Sequence, residues 1–306
     1  MNFKLGSLGK IKAVCLVDST RSLLLYALIY GKEQFESTFF FVSDAISADV
    51  CHKLIYSKRL SRIKFNAKNF LGRFLSRYFL YHCAYFRWPF LKYIPIYGAD
   101  HLWFSSLLIK KRKITVIEDG LANYSESTIK QTIISKHSFF YRISFGPLLC
   151  KGAYGYSDQV THVMLTGITT IPECIKNKAV IVDILDLWKA FDDKRFLLNL
   201  FGVTNSDLSI LQKKRVLILT QPFNVDIGDE ELIKIYHSVV RKYRKEDILI
   251  KTHPRDTINF ETYFPGITVY SKKIPVELFA LLGINFTDIY TICSTAIFSF
   301  PDTIQK

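Results

Sequence analysis

The sequence predicts an α/β protein in two halves, residues 1–205 and 206–306, each built on parallel strands. Three observations carry this prediction. Short apolar runs alternate with segments of helical period, the pattern of parallel strands joined by crossover helices. The pattern loses regularity between about 125 and 205 and restarts cleanly at "KRVLILTQPF". A chain of 306 residues has room for two domains of ordinary size.

In chain order, "KAVCLVDS" (12–19) reads as a buried strand, followed by a helical pattern to about Tyr30 and a second strand at "STFFFVSD" (37–44). Residues 58–93 are helical in period, basic and rich in aromatics. "ADHLWFSSLLI" (99–109) and "KITVIEDG" (113–120) supply two more strands. "QVTHVML" (159–165) and "AVIVDIL" (179–185) follow, with a helix over 187–200. The second half has a strand in "KRVLILTQPF" (214–223), an amphipathic helix from Asp229 to Arg244 and a strand in "DILIKTHPRD" (247–256). "GITVYS" (266–271), a helix from Pro275 to Leu282 and "DIYTICSTAIFSF" (288–300) complete it.

Composition narrows the partners. Forty-one Lys and Arg against 27 Asp and Glu give a net charge of +14, which favours nucleic acid, a membrane surface or a phosphorylated substrate. The six cysteines fall in no C-x-x-C pair, which argues against a zinc site or a disulfide framework and suits a reducing cytosol. Lys10, Lys12, Asp18 and Arg21 interrupt the apolar N-terminal stretch, so no signal-peptide core forms. No stretch reaches the roughly 18 apolar residues of a membrane span.

Open α/β sheets bind ligands beyond the carboxyl ends of their strands. Four polar clusters fall at such ends: Glu118-Asp119-Gly120, Thr220-Gln221-Pro222 with Asp226, Lys251 to Arg255, and Ser294-Thr295. Each alone has an ordinary explanation as a turn or a helix cap. Their recurrence at equivalent strand ends points to one ligand cleft.

These segments, "IEDGLANY", "LTQPF", "IKTHPRD", "PVELF" and "CSTAIF", resemble glycosyltransferase family 52, the bacterial lipooligosaccharide sialyltransferases. The resemblance is strongest over 113–124 and 215–300, and includes the acidic-acidic-Gly and His-Pro motifs of bacterial sialyltransferases. It implies a GT-B-type fold, two Rossmann-like domains facing across a cleft, with the donor CMP-sialic acid held mainly by the C-terminal domain. It further implies inverting transfer to a galactose-type hydroxyl with no metal and no cofactor. The absence of Asp-x-Asp from the chain agrees with that expectation. "VDSTRSLLL" departs from the family's Thr-Pro-Leu-Gln type of turn.

On this resemblance His253 donates a hydrogen bond or a proton to the departing phosphate, and Pro254 ends the strand that holds it. Lys251 and Arg255 raise the local potential, with alternation letting one of them face the ligand. Ser294 and Thr295 offer hydroxyls and amides to the same phosphate, Glu277 accepts from the ribose hydroxyls, and Gln221 and Gly120 border the substrates. Asp119 is the expected base, with Glu118 pointing the other way. Asp226 and Asp229 are the alternative bases.

The basic stretch 58–93 has three readings: a crossover helix with a solvated cationic face, a peripheral anchor on the anionic cytoplasmic face of the inner membrane, or a nucleic-acid surface. No nucleic-acid motif accompanies it. Lys58, Arg59, Arg62, Lys64, Lys68, Arg73, Arg77 and Arg87 interleaved with Phe65, Phe70, Phe74, Tyr78 and Phe79 fit the anchor. The expected partners are a nucleotide sugar and a glycolipid or oligosaccharide acceptor, and a homodimer is an alternative to a monomer. The competing functions are a family member with another sugar donor, or a non-catalytic polyanion- or membrane-binding protein on the same scaffold.

Overall fold

The computed structural model describes residues 9–61, 70–130 and 152–301, together with 139 and 143. Two compact units result, Met1–Leu197 and Leu198–Lys306, where the sequence places the division at 205/206.

The first unit holds a seven-stranded sheet of β1 (Ala13–Val17), β2 (Thr38–Val42), β3 (Tyr56–Arg59), β4 (Ile96–Gly98), β5 (Ile114–Ile117), β6 (Val160–Leu165) and β7 (Ala179–Ile181). Every pairing is parallel, in the order β3-β2-β1-β4-β5-β6-β7. The second unit holds β8 (Val216–Leu219), β9 (Ile248–Lys251), β10 (Thr268–Tyr270) and β11 (Asp288–Thr291), also parallel, in the order β10-β9-β8-β11. Both are Rossmann-like. The strand order reverses between β1 and β4 and between β8 and β11, and ligands bind beyond the carboxyl ends at such reversals.

Strands covered on both faces read as unbroken apolar runs. β1 and β2 are buried throughout. Period-2 alternation sends Phe39 and Phe41 to one face, where they meet Phe90 and Trp88 with ring centroids 5.1 and 4.9 Å apart. Phe40 lies on the other face, against Tyr26 of the helix Thr20–Glu36. The second unit packs Val216, Ile218 and Ile250 against Leu232 and Tyr236 of the helix Asp229–Val240.

Four elements differ from expectation. The strand expected at 99–109 is instead β4, followed by a loop and a helix at Ser105–Ile109. At Gly98, with φ 102°, the backbone presses on Leu16, and the Ala99 amide bonds to the Leu16 carbonyl at 2.8 Å before the chain turns away. Lys58 and Arg59, the start of the expected basic helical region at 58–93, instead end the edge strand β3, and their charges suit an edge. The helix of that region runs from Phe70 to Arg87, while Arg62, Lys64, Phe65 and Lys68 lie outside the described residues. The helix expected over 187–200 is two, Ile184–Ala190 and Lys194–Phe201. Asp183 caps the former by accepting from Leu185 and Asp186 amides at 2.8 and 3.0 Å. Among the described residues no helix is long and apolar enough to cross a membrane.

A Cβ on Gly98 would stand 2.1 Å from the Leu16 carbonyl oxygen, and both partners are backbone. Gly98→Ala should therefore lower stability by about 3 kcal/mol or more, or abolish soluble expression. Gly9→Ala, where a Cβ meets nothing within 4 Å, should be neutral in the same denaturant titration.

Candidate active site

At the carboxyl end of the first sheet, Glu118 leaves β5 fully buried. Its carboxylate accepts from the guanidinium of Arg21, the Tyr124 hydroxyl at 2.8 Å and the Thr166 hydroxyl at 2.8 Å. The Thr166 amide adds a further bond. Burial and the adjoining carboxylate push the Tyr124 phenol up, so it remains a donor to Glu118. In turn it accepts from the Gly167 amide at 2.9 Å. Glu118, grouped in the sequence with the substrate-binding residues but pointing away from Asp119, thus has its carboxylate occupied by protein donors.

Asp119 projects the other way, as alternation requires. Ser19 donates to its Oδ1, and the Nε2 of His101 stands 3.6 Å from its Oδ2. Its side chain keeps 19% exposure. Gly120, at φ 145°, turns the chain into the short helix Leu121–Tyr124, which returns Asn123 to accept from the Asp119 amide at 2.8 Å. His101 lies flat on Tyr154, with centroids 4.3 Å apart and 18° between planes. That stack is fixed from below: Asp100 accepts from the Tyr154 and Gly155 amides at 2.7 and 2.9 Å.

Asp18, His101 and Asp119 each bring a ligand-type atom within 4.8 Å of the others, a set able to hold a cation or to share a proton. Asp18 and His101 flank the β1/β4 reversal. Sequence reasoning missed both, because a strand assigned to 99–109 hides a strand end at residue 98.

In the second unit, Thr220 and Gln221 follow β8, His253 follows β9 and Ser294 follows β11. The His253 amide donates to the Thr220 hydroxyl at 2.9 Å and to Asp256 Oδ2 at 2.7 Å. The Thr220 hydroxyl in turn bonds to Asp256. The Asp256 amide closes the turn on the His253 carbonyl at 3.0 Å. Within this turn, across Pro254, the Arg255 amide donates to His253 Nδ1 at 3.1 Å. An acceptor at Nδ1 places the proton of the neutral ring on Nε2. Burial lowers the His253 pKa below its ordinary 6.5, against the opposing pull of Asp256. At pH 7 the ring is neutral and offers Nε2–H.

Lys251, the last residue of β9, is 3% exposed, and its Nζ donates to the Thr252 carbonyl at 2.8 Å. Burial brings its pKa from 10.5 down to about 8. Glu277, in the first turn of the helix Glu277–Leu281, is also 3% exposed. Lys251, expected to raise the local potential, and Glu277, expected to accept from the ribose hydroxyls, are thus both buried. Gln221 is half-buried, its amide bonded to the Tyr236 hydroxyl at 3.0 Å. Ser294 caps the short 3-10 helix Thr295–Ser299. Arg255, Asp226 and Asp229 are exposed, and Asp229 accepts from Asn224 at 2.9 Å. A groove of about 770 Å³ elsewhere in the first unit, between Leu28–Glu36 and Leu187–Asp193, includes none of the expected site residues.

Removing one charge from the buried Arg21–Glu118 pair leaves the other uncompensated. Glu118→Gln should cost about 3–5 kcal/mol in urea unfolding, and Asp119→Asn much less.

The family model of glycosyltransferase family 52 matches residues 91–305. An uncharacterized protein of Haemophilus influenzae is 28% identical over 296 residues, 95% of this chain and 92% of its own. The crystal structure of the GT-B domain of a Photobacterium damselae sialyltransferase superposes with a TM-score of 0.58 at 13% identity, covering 96% of this chain and 89% of that one. An α/β-galactoside α-2,3-sialyltransferase of Photobacterium phosphoreum gives 0.57 at 16% identity, covering 96% and 90%. The UDP-GlcNAc 2-epimerase of Methanocaldococcus jannaschii gives 0.50 at 12% identity, covering 94% and 80%. At these identities the structural likeness is one of fold, GT-B-type, which transferases share with epimerases. The sequence match distinguishes among them: spanning more than two thirds of the residues, it shows that the chain belongs to glycosyltransferase family 52.

Proposed function

We propose that the protein is an inverting, metal-independent sialyltransferase, moving sialic acid from CMP-sialic acid to a galactose-type hydroxyl of a lipooligosaccharide or capsular oligosaccharide. The observation that carries the reading is the His253 turn: within a glycosyltransferase chain, a rigid neutral imidazole presents Nε2–H at a strand end. A fold shared with proteins named as sialyltransferases supports it.

In this mechanism the acceptor oxygen bonds to the anomeric carbon as the bond from that carbon to the CMP phosphate breaks. The acceptor proton passes to Asp119, whose Ser19 bond leaves Oδ2 as the receiving oxygen. The bonding pair departs with CMP. A phosphate monoester has its second pKa near about 6, so at pH 7 CMP leaves without needing a proton. His253 therefore acts as a hydrogen-bond donor to the phosphate. Proton donation, the other sequence-based alternative, would require an imidazolium, which the Arg255 amide and burial both disfavour. The Ser294 hydroxyl adds a second donor, and Lys251 contributes charge from beneath the strand ends.

Calorimetric titration in EDTA should show CMP binding more tightly than UMP, weakened about tenfold in His253→Ala, as loss of a hydrogen bond to a charged group implies. Asp119→Asn should leave CMP affinity intact and lower kcat by about 10²–10⁴-fold. Equal affinity for CMP and UMP would replace the sialyl donor by another nucleotide sugar, and loss of activity in EDTA would assign a cation to Asp18, His101 and Asp119.

The pH dependence follows from the shifts. His253 titrates below 6.5 and stays neutral above it, so its contribution is flat from pH 7 upward. Lys251 loses its charge as pH rises through about 8, so CMP affinity should fall across that range. Lys251→Met should bind CMP more weakly at pH 7 and remove the alkaline decline.

A further inference from the structure

The helix Phe70–Arg87 turns the wrong face to water for a solvated cationic helix. Leu71, Leu75, Phe79 and Phe86 are 65, 42, 61 and 89% exposed. With Tyr78 they fall on a single stripe about 100° wide, at helical spacing, in which exposed His82 is the one imidazole. The opposite side supplies Phe74, Leu80 and Tyr81 to the packing around Leu107, and Ala84 to the main core. The inward-facing rings of Tyr81 and Tyr85 also take the ammonium of Lys110, 4.6 and 4.1 Å from their centroids. One face is thus satisfied by the fold, while the apolar face lies in solvent. Exposed Arg87 ends the helix, and just beyond it lie exposed Lys92 and Tyr93.

Charge selects the occupant. From Val50 to Ala99 the sequence holds ten lysines and arginines and no aspartate or glutamate. In a two-fold dimer through this face the same basic surface would meet itself. Nucleic acid would satisfy the cations but leave the aliphatic stripe wet. An amphipathic helix lying in the plane of a membrane, its apolar face among acyl chains and its cations among anionic headgroups, satisfies both.

We infer that the helix Phe70–Arg87 is a bilayer-docking element that seats the protein on anionic lipid through Leu71, Leu75, Phe79 and Phe86, with Arg87 and Lys92 at headgroup level. The inference does not depend on the identity of the sugar donor.

The test is flotation of the full chain with vesicles of phosphatidylcholine alone or with phosphatidylglycerol added, at low and high salt, with CMP titration as the measure of intact fold. The wild type should float only with phosphatidylglycerol. Phe79→Glu with Phe86→Glu should reduce flotation about tenfold, and Arg87→Glu with Lys92→Glu should reduce it at low salt, both with unchanged CMP affinity. Three outcomes would overturn the proposal: wild type that stays with neither vesicle, a Phe79/Phe86 variant that floats as well as wild type, or a wild-type dimer that the same variant splits without any vesicle binding. If CMP fails to bind while flotation behaves as expected, the catalytic reading falls and the docking element stands.

Discussion

Arg21 and Glu118 are 97 residues apart in sequence and meet where almost no water reaches. Taking both charges out of water costs several kcal/mol for each, and their attraction offsets this only when the remaining lone pairs are satisfied. Tyr124 and Thr166 satisfy them, so the pair fixes the end of β5, the end of β6 and the start of the helix after β1 as one unit. The accessible chemistry hangs on this buried bond. Asp119 is the residue after Glu118 and Ser19 lies two before Arg21, so locking the buried pair sets the Ser19–Asp119 contact above it.

The second unit solves the same problem without a paired cation. Asp256 lies under the His253 turn and accepts from one backbone amide and one hydroxyl, while its Oδ1 is buried with no hydrogen-bond partner among the described residues. Nearby Lys251 turns its ammonium to a carbonyl and titrates low. Asp256 and Lys251 thus interact at this strand end with no ion pair between them among the described residues. In the first unit the Glu118 charge is instead met directly by the Arg21 guanidinium.

The strands were legible because apolar runs bounded by polar clusters mark both their existence and their carboxyl ends, and Asp119, His253 and Ser294 were placed just past β5, β9 and β11 on that pattern. Two strands escaped. β4, Ile96–Gly98, lies just before the longer apolar run at 99–109 that was read as the strand in its place, and β3 carries the charges of an edge. The loss of β4 hid His101. The burial of Glu118 was not legible for a different reason: it is decided by partners such as Arg21 and Thr166, dozens of residues away, and no local pattern encodes them. The His253 tautomer likewise depends on a backbone amide two residues on, visible only once the turn is built.

Net charge behaved differently from the motifs. A charge of +14 pointed to an anionic partner without saying where. The strand end after β9 accounts for two of these cations, Lys251 and Arg255. The excess resides mainly elsewhere, in the segment from Val50 to Ala99 where no carboxylate offsets it. Helical period alone could not tell which face of that segment packs inward. Because Phe74, Leu80 and Ala84 fill the inward side, the stripe from Leu71 to Phe86 remains outside and apolar. Charge and exposed apolar area then coincide on one element, a combination that soluble phosphate cannot use and a lipid surface can.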